Sequence, residues 1–212
     1  MPEDAKMLPL RNFILMKKGI LVILVLAIFG FAGWMIWGGK KETAPENKQQ
    51  PLTKTDNSDA FNQSFGVMLN AYFKLKDALV ASDTAKATAA AMELSTASEN
   101  LKLDEIKGDS TGTIKLTAKD YSGTIIGSAQ GLAGEKGIDA KRKEFRMISE
   151  ALFPLFQTVH YSEKKIYWIN CPMAFDNTGA NWISEDSVVR NPYFGDRMLS
   201  CGTVEATLDF KK

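Results

Sequence analysis

Five side chains toward the C-terminus have the chemistry of a soft-metal site: His160, Cys171, Met173, Met198 and Cys201. His160 is the only histidine of the 212-residue chain, and Cys171 and Cys201 are its only cysteines. Cys171 and Met173 stand two residues apart with Pro172 between them, and Met198 and Cys201 stand three apart. Thiolate and thioether sulfur favour monovalent copper or silver over hard cations. Spacings of two and three can turn both members of each pair to one side of a loop. Brought together, the two pairs would form a low-coordinate copper(I) site, with the His160 imidazole as an auxiliary ligand.

The same residues support a different chemistry. Two cysteines in an oxidising compartment commonly pair. A Cys171–Cys201 disulfide would staple the C-terminal module, contributing roughly 3–4 kcal/mol in the chain-entropy model. Met173 and Met198 read equally well as core filler, and a histidine near a helix end as a cap or a surface residue. On the residues alone, metal site and disulfide both stay open.

Signals for catalysis are poor, and the expectation is a protein that is not an enzyme. There is no glycine-rich phosphate loop followed by Lys-Ser/Thr. Two cysteines thirty residues apart are not a Cys-x-x-Cys redox centre, and haem attachment through Cys-x-x-Cys-His is absent. A Cys–His catalytic pair is conceivable, but neither cysteine sits in a known nucleophile motif. The aromatics Tyr167, Trp168, Trp182, Tyr193 and Phe194 read as the core of the C-terminal module rather than as a ligand cage.

Upstream elements must present this tail. The run Gly19 to Gly38, GILVILVLAIFGFAGWMIWG, is twenty residues without a charge. About twenty helical residues span the roughly 30 Å hydrocarbon core of a bilayer, and helix is the open-chain form that satisfies its own backbone there. Trp34 and Trp37 suit a lipid–water interface. A cleavable signal would have a shorter apolar core ending in small residues; this run ends Trp-Met-Ile-Trp, and no cysteine follows for a lipid anchor. Lys6, Arg11, Lys17 and Lys18 precede the run and Lys40 and Lys41 follow it, which places residues 1–18 in the cytoplasm by the positive-inside rule. Residues 39–58, polar and proline-containing, read as a flexible tether. Residues 42–212 carry twenty basic against twenty-three acidic side chains, within a chain of net charge +1. A mildly acidic soluble part has no basic stripe for nucleic acid.

Four helical stretches follow. Phe61, Phe65, Met68, Leu69, Tyr72, Leu75 and Leu79 form a stripe over about 59–80, with Ser58 or Asp59 as cap. The alanine-rich second stretch, about 83–103, has a thin stripe of Met92, Leu94 and Leu101. The third, about 113–133, sets Ile114, Ala118, Tyr121, Ile125 and Leu132 on one side. Its Gly123, Gly127 and Gly131 form a face that would let a neighbouring helix approach closely; the alternative is a break in the helix. The fourth, about 139–159, carries the seam Phe145, Ile148, Leu152, Leu155 and Val159, with a kink expected at Pro154. Short links suit an antiparallel bundle. Beyond His160 the pattern changes. KKIYWINC, ANWIS and CGTVEATLDF read as short strands, separated by turns at Asp176–Gly179 and Asn191–Gly195.

The words CPMAF, TGANWIS and VRNPYFGDRMLSCGTV, all within residues 171–204, resemble an uncharacterised bacterial exported-domain family, DUF3347. The resemblance extends over roughly residues 59–210. It implies a helical region followed by a Cys/Met-bearing segment, as occurs in separate exported proteins and in fusions to periplasmic adaptor subunits of heavy-metal efflux pumps. Cys171, Met173, Met198 and Cys201 fall on signature positions, and His160 on a histidine near the end of the last helix. The implied cargo is copper or silver handled outside the cytoplasm.

The expected fold is therefore mainly α: a transmembrane helix at 19–38, a four-helix up-and-down bundle at 59–159 and a small β/loop module at 160–212. The expected function is a single-pass inner-membrane protein with its C-terminal domain in the periplasm, binding copper(I) or silver(I) and passing it to an efflux or maturation partner. The alternative is a non-catalytic interaction domain stapled by the disulfide.

Overall fold

The computed structural model describes residues 57–211. The expected span at 19–38, and all but the last two residues of the expected tether, lie outside them. Among the described residues no helix is long and apolar enough to cross a membrane.

Four helices and a small antiparallel sheet follow one another along the chain: α1 (Asp59–Val80), α2 (Thr84–Glu99), α3 (Thr113–Gly134), α4 (Ile138–Val159), then β1 (Ile166–Cys171), β2 (Ala180–Ser184) and β3 (Thr203–Leu208). The mainly helical fold with a C-terminal β module is thus as expected. Three of the four helices start where local chemistry satisfies a free N–H or sets the entry. Ser58 Oγ accepts from the Phe61 N–H at 3.1 Å, and Asp83 Oδ1 from the Lys86 N–H at 2.9 Å. Helix α3 follows Gly112, whose φ of 73° is left-handed.

The stripe of α1 is fully buried, from Phe61 and Phe65 to Leu79, and so is the α4 seam of Phe145, Ile148, Leu152 and Leu155. The two helices run antiparallel. Asn57 Nδ2, before α1, donates to the Val159 carbonyl at the end of α4 at 2.7 Å, and Phe65 meets Phe156 edge-on at 6.0 Å. Helix α4 continues through Pro154.

Two expectations about the middle helices are corrected. In α2 the buried face is Ala87, Ala90, Ala91, Leu94 and Ala97, whereas Met92 is 60 % exposed and Leu101 lies beyond the helix end. The three- and four-residue rhythm of the alanines, not the larger side chain, sets the inner face. Helix α3 is unbroken, but its glycines line no seam. Gly123, Gly127 and Gly131 are exposed; a Cβ at Gly123 or Gly127 would meet nothing within 4 Å, and one at Gly131 would meet the flexible end of Glu144. The contacts with neighbouring helices come instead from Ile125, Ala129 and Leu132, which are fully buried.

The sheet has β1 in the centre, with the order β2-β1-β3. Cys171 pairs with Ala180 and Tyr167 with Ser184 on one side. Ile166 pairs with Leu208 and Asn170 with Thr203 on the other, with a bulge at Trp168/Ile169. Sheet and bundle meet at Tyr72. Its hydroxyl accepts from the Ile183 N–H of β2 at 3.0 Å and pairs with Ser149 Oγ of α4 at 2.8 Å, while its ring stacks on Phe145 at 5.2 Å. Complete burial pushes its phenol well above the ordinary value, so it stays neutral.

Two substitutions test this account by urea unfolding. Gly127→Ala should raise stability by about 1 kcal/mol, since it replaces an open helical glycine. An unchanged or lowered midpoint would contradict the open face. Tyr72→Phe should lower stability by about 1–3 kcal/mol, because it strands the buried Ile183 N–H.

A candidate sulfur site held by two turns

Cys171 is the last residue of β1 and is fully buried. Cys201 lies two residues before β3 and is half-buried. Because Asn170 pairs with Thr203, the two cysteines emerge side by side at one end of the sheet. Their Sγ atoms are 2.9 Å apart, in contact and not joined by a disulfide bond. The shared hydrogen bond favours the protonated form, and partial burial adds to it, so the Cys201 thiol is pushed up to about 11; the backbone N–H of Met173 opposes this.

Two turns carry the remaining sulfur. The first follows Cys171. Phe175, Asp176 and Asn177 all have left-handed φ, at 52°, 57° and 65°, before Gly179 at 80°. Asn and Asp tolerate that region, but Phe does not adopt it cheaply. The turn is closed by the Gly179 N–H on the Ala174 carbonyl at 3.0 Å. It is held down by the Phe175 ring, which meets Tyr193 edge-on at 5.4 Å and lies under the Arg146 guanidinium at 5.6 Å. Met173, at its start, is 48 % exposed.

The second turn spans Asn191 to Cys201 and is organised by the fully buried Asn191. Its Oδ1 accepts from the Tyr193 N–H at 2.8 Å and the Phe194 N–H at 3.3 Å. Its backbone N–H donates to Leu199 O at 2.8 Å and its carbonyl accepts from the Gly195 N–H at 3.0 Å. Its Nδ2 donates to the Cys201 carbonyl at 2.8 Å, which ties that cysteine to the start of its own loop. Two glycines let the loop approach its neighbours. At Gly195 (φ 58°) a Cβ would lie 2.8 Å from Val80 O and Ser82 Oγ; at Gly202 (φ 152°) it would lie 2.8 Å from the Trp182 ring.

Arg142 of α4 anchors this loop to the bundle. Its side chain is 3 % exposed and paired with Asp139 at 3.0 Å. Nε donates to the Pro192 carbonyl at 2.9 Å, and Nη2 donates to Ser82 Oγ at 3.0 Å and Leu79 O at 3.3 Å. Burial draws its pKa down and Asp139 opposes the shift.

Met173 and Met198 line a common cleft of about 540 Å³ with Phe175, Tyr193, Arg142 and Asp139. The structure thus brings Cys171 and Cys201 into contact and sets Met173 and Met198 on one cleft, whose lining includes Lys143 and Arg197 but neither cysteine. It does not bring His160 to them. His160 closes α4 in the left-handed conformation, and its ring packs edge-on against Phe210 at 5.1 Å. It lies toward the Ile166 end of β1, whereas Cys171 is at the other end, five residues or about 17 Å along the strand. Among the described residues no three His, Cys, Asp or Glu side chains converge. The sulfurs in contact are the two thiols; the two thioethers lie on the neighbouring turns, and sulfur of both kinds suits a soft monovalent ion. At 2.9 Å the thiols are closer than two sulfurs sharing one ion, which metal–sulfur bonds of about 2.3 Å set roughly 4 Å apart in trigonal geometry. Loading would require the half-buried Cys201 to turn away from Cys171.

Asn191, Arg142 and Gly202 are the organising residues that spacing alone does not reveal. One signal was present: Arg142 stands three residues before Phe145, on the buried stripe of α4, where a cation needs a partner.

With this geometry in place, comparison with known proteins is informative about one part of the chain. A family model described as "Protein of unknown function (DUF3347)" matches residues 68–164. The DUF3347 match takes in most of α1, all of α2 to α4, and His160. It ends before β1, so the four sulfur residues lie beyond it. No curated protein and no solved structure matches the chain.

In the reduced protein, alkylation of Cys201 by iodoacetamide should accelerate by about tenfold per pH unit from about pH 7 to pH 10, because only the thiolate reacts. A plateau near pH 9 would show that Cys171 does not hold the proton on Cys201. Asn191→Ala should cost about 1–3 kcal/mol through the buried N–H groups it strands and should speed that alkylation by loosening the 191–201 loop.

Proposed function

We propose that this is a periplasmic soft-metal-binding protein, held to the inner membrane by a single span at 19–38 with its N-terminus in the cytoplasm. It binds copper(I) or silver(I) and hands the ion to an efflux or maturation partner. The observation that carries the reading is the Cys171–Cys201 thiol pair at 2.9 Å beside a cleft shared by Met173 and Met198. The thiolates of Cys171 and Cys201 are the principal ligands, and the Met173 and Met198 thioethers the weaker, exchangeable ones. His160, by its place on Phe210, serves the end of α4 rather than the ion. The protein acts by binding and transfer, not by catalysis. The net negative charge of residues 42–212 disfavours nucleic acid as a partner.

A second reading is favoured by the sulfur separation itself. Thiols already this close need little motion to reach the roughly 2.05 Å of a disulfide. In that reading the module is stapled and the bundle binds a protein partner.

Copper(I) competition against a coloured chelator, on the pre-reduced full chain in detergent, separates the two. Stoichiometric binding lost in Cys171→Ser/Cys201→Ser, and weakened about tenfold or more by Met173→Leu/Met198→Leu, is expected for a soft-sulfur site. Absence of binding by folded, fully reduced protein would sink the metal reading and leave the stapled interaction domain.

A further inference from the structure

The two thiols are in contact but not equivalent. Cys171 is fully buried at the end of the central strand, paired with Ala180 of β2. Cys201 is half-buried at the end of a surface loop. Its surroundings on the outer side are open: Met173 is 48 % and Leu199 37 % exposed, and Pro172 and Ser200 are exposed. Thiol–disulfide exchange proceeds by a thiolate approaching a sulfur along the bond to be broken, so it requires access. Only one of the two sulfurs offers that access.

We infer that Cys171 and Cys201 form a reversible thiol–disulfide exchange site, with Cys201 as the sulfur that meets the partner and Cys171 as the resolving thiol behind it. The partner class is a small-molecule disulfide in the oxidising direction and a dithiol reductant in the other. In oxidation, the Cys201 thiolate attacks a disulfide such as that of oxidised glutathione. The glutathione S–S bond breaks, a Cys201–glutathione bond forms, and one glutathione leaves as thiolate and takes a proton from water. Cys171, 2.9 Å from Cys201, loses its proton to water and attacks the Cys201 sulfur. The Cys171–Cys201 bond forms and the second glutathione leaves. Two electrons pass from the cysteine pair to one glutathione disulfide. In reduction, a dithiol attacks Cys201, Cys171 leaves as thiolate, and the second thiol of the reductant resolves the mixed disulfide.

The surrounding fold suits this order. Cys171 is fixed by strand pairing, so it waits in place. Cys201 is tied through its carbonyl to Asn191 and through its N–H to Met198 O at 3.1 Å, and its sulfur accepts from the Met173 N–H, so that one contact must open for the half-buried side chain to turn between partner and resolving thiol. The asymmetry stands whether or not the pair binds metal, since it rests on burial and contact alone.

The test uses the full chain in detergent, metal-free and reduced, with oxidised glutathione as probe. Wild-type protein quenched early and mapped by mass spectrometry should carry glutathione on Cys201 only, and at completion should have lost both thiols to an internal disulfide. Cys171→Ser should stop at one glutathione on Cys201; Cys201→Ser should react more than about tenfold more slowly. A thioredoxin-class dithiol should then restore two free thiols in the wild type. Glutathione found equally on Cys171, a wild type that stops at the mixed disulfide, or an internal disulfide that the dithiol does not reopen would each overturn the proposal. The wild-type mapping needs no variant to fold. Copper(I) affinity is read separately, so failure here is distinct from failure of the metal reading.

Discussion

A buried guanidinium held by four hydrogen bonds is the constraint around which the C-terminal module is arranged. Arg142 lies on the inner stripe of α4, where an uncompensated charge would be costly. It is tolerated because Asp139, the Pro192 carbonyl, Ser82 Oγ and the Leu79 carbonyl surround it. Those groups come from three places: its own helix, the end of α1 and the 191–201 loop. Satisfying one cation therefore fixes three segments at once. Pro192 follows Asn191, and Asn191 holds the Cys201 carbonyl. A short chain of polar contacts thus runs from the middle of the bundle to the sulfur pair.

Apolar packing supplies the complementary constraint. Tyr72 carries the bundle into the sheet through Ile183, and Trp182, fully buried, meets Tyr193 edge-on at 5.9 Å. The loop cannot sit further out, because Gly195 and Gly202 bring its backbone close to α1 and to Trp182, where a Cβ would clash. The left-handed run Phe175–Asn177 persists for the same reason: the Phe175 ring is captured by Tyr193 and Arg146. Strain in this turn is thus offset by packing outside it.

Division of labour follows from that architecture. The DUF3347 family model matches residues 68–164, most of the helical region, which supplies the platform. The chemistry proposed here rests on turns beyond it, as is common where loops on a scaffold carry function. The bundle contributes three charged residues, Asp139, Arg142 and Lys143, to the cleft lined by Met173 and Met198. Of the five residues singled out by type, Cys171 and Cys201 meet at one end of the sheet, Met173 and Met198 line the cleft between the two turns, and His160 caps α4 away from both.

The inner faces of α1, α3 and α4 were legible in the sequence because large side chains recur at helical spacing, and burial enforces that rhythm locally. The three strands were legible from their β-branched and aromatic content and the turn residues between them. The cysteines were legible as the only pair, though their chemistry stayed open. Other features needed the tertiary structure. Alanine carries too little apolar contrast to define a face, so Met92 looked inward but stands in solvent. The α3 glycines share a face by spacing, but which way a face points depends on where the neighbouring helices lie. Contact between Cys171 and Cys201, thirty residues apart, depends on the register of β1 with β3 and on Asn191 closing its loop. The distance from His160 to that pair depends on the length of one strand. Spacing along a chain determines which side chains share an element; only the packing of elements against one another decides which of them meet.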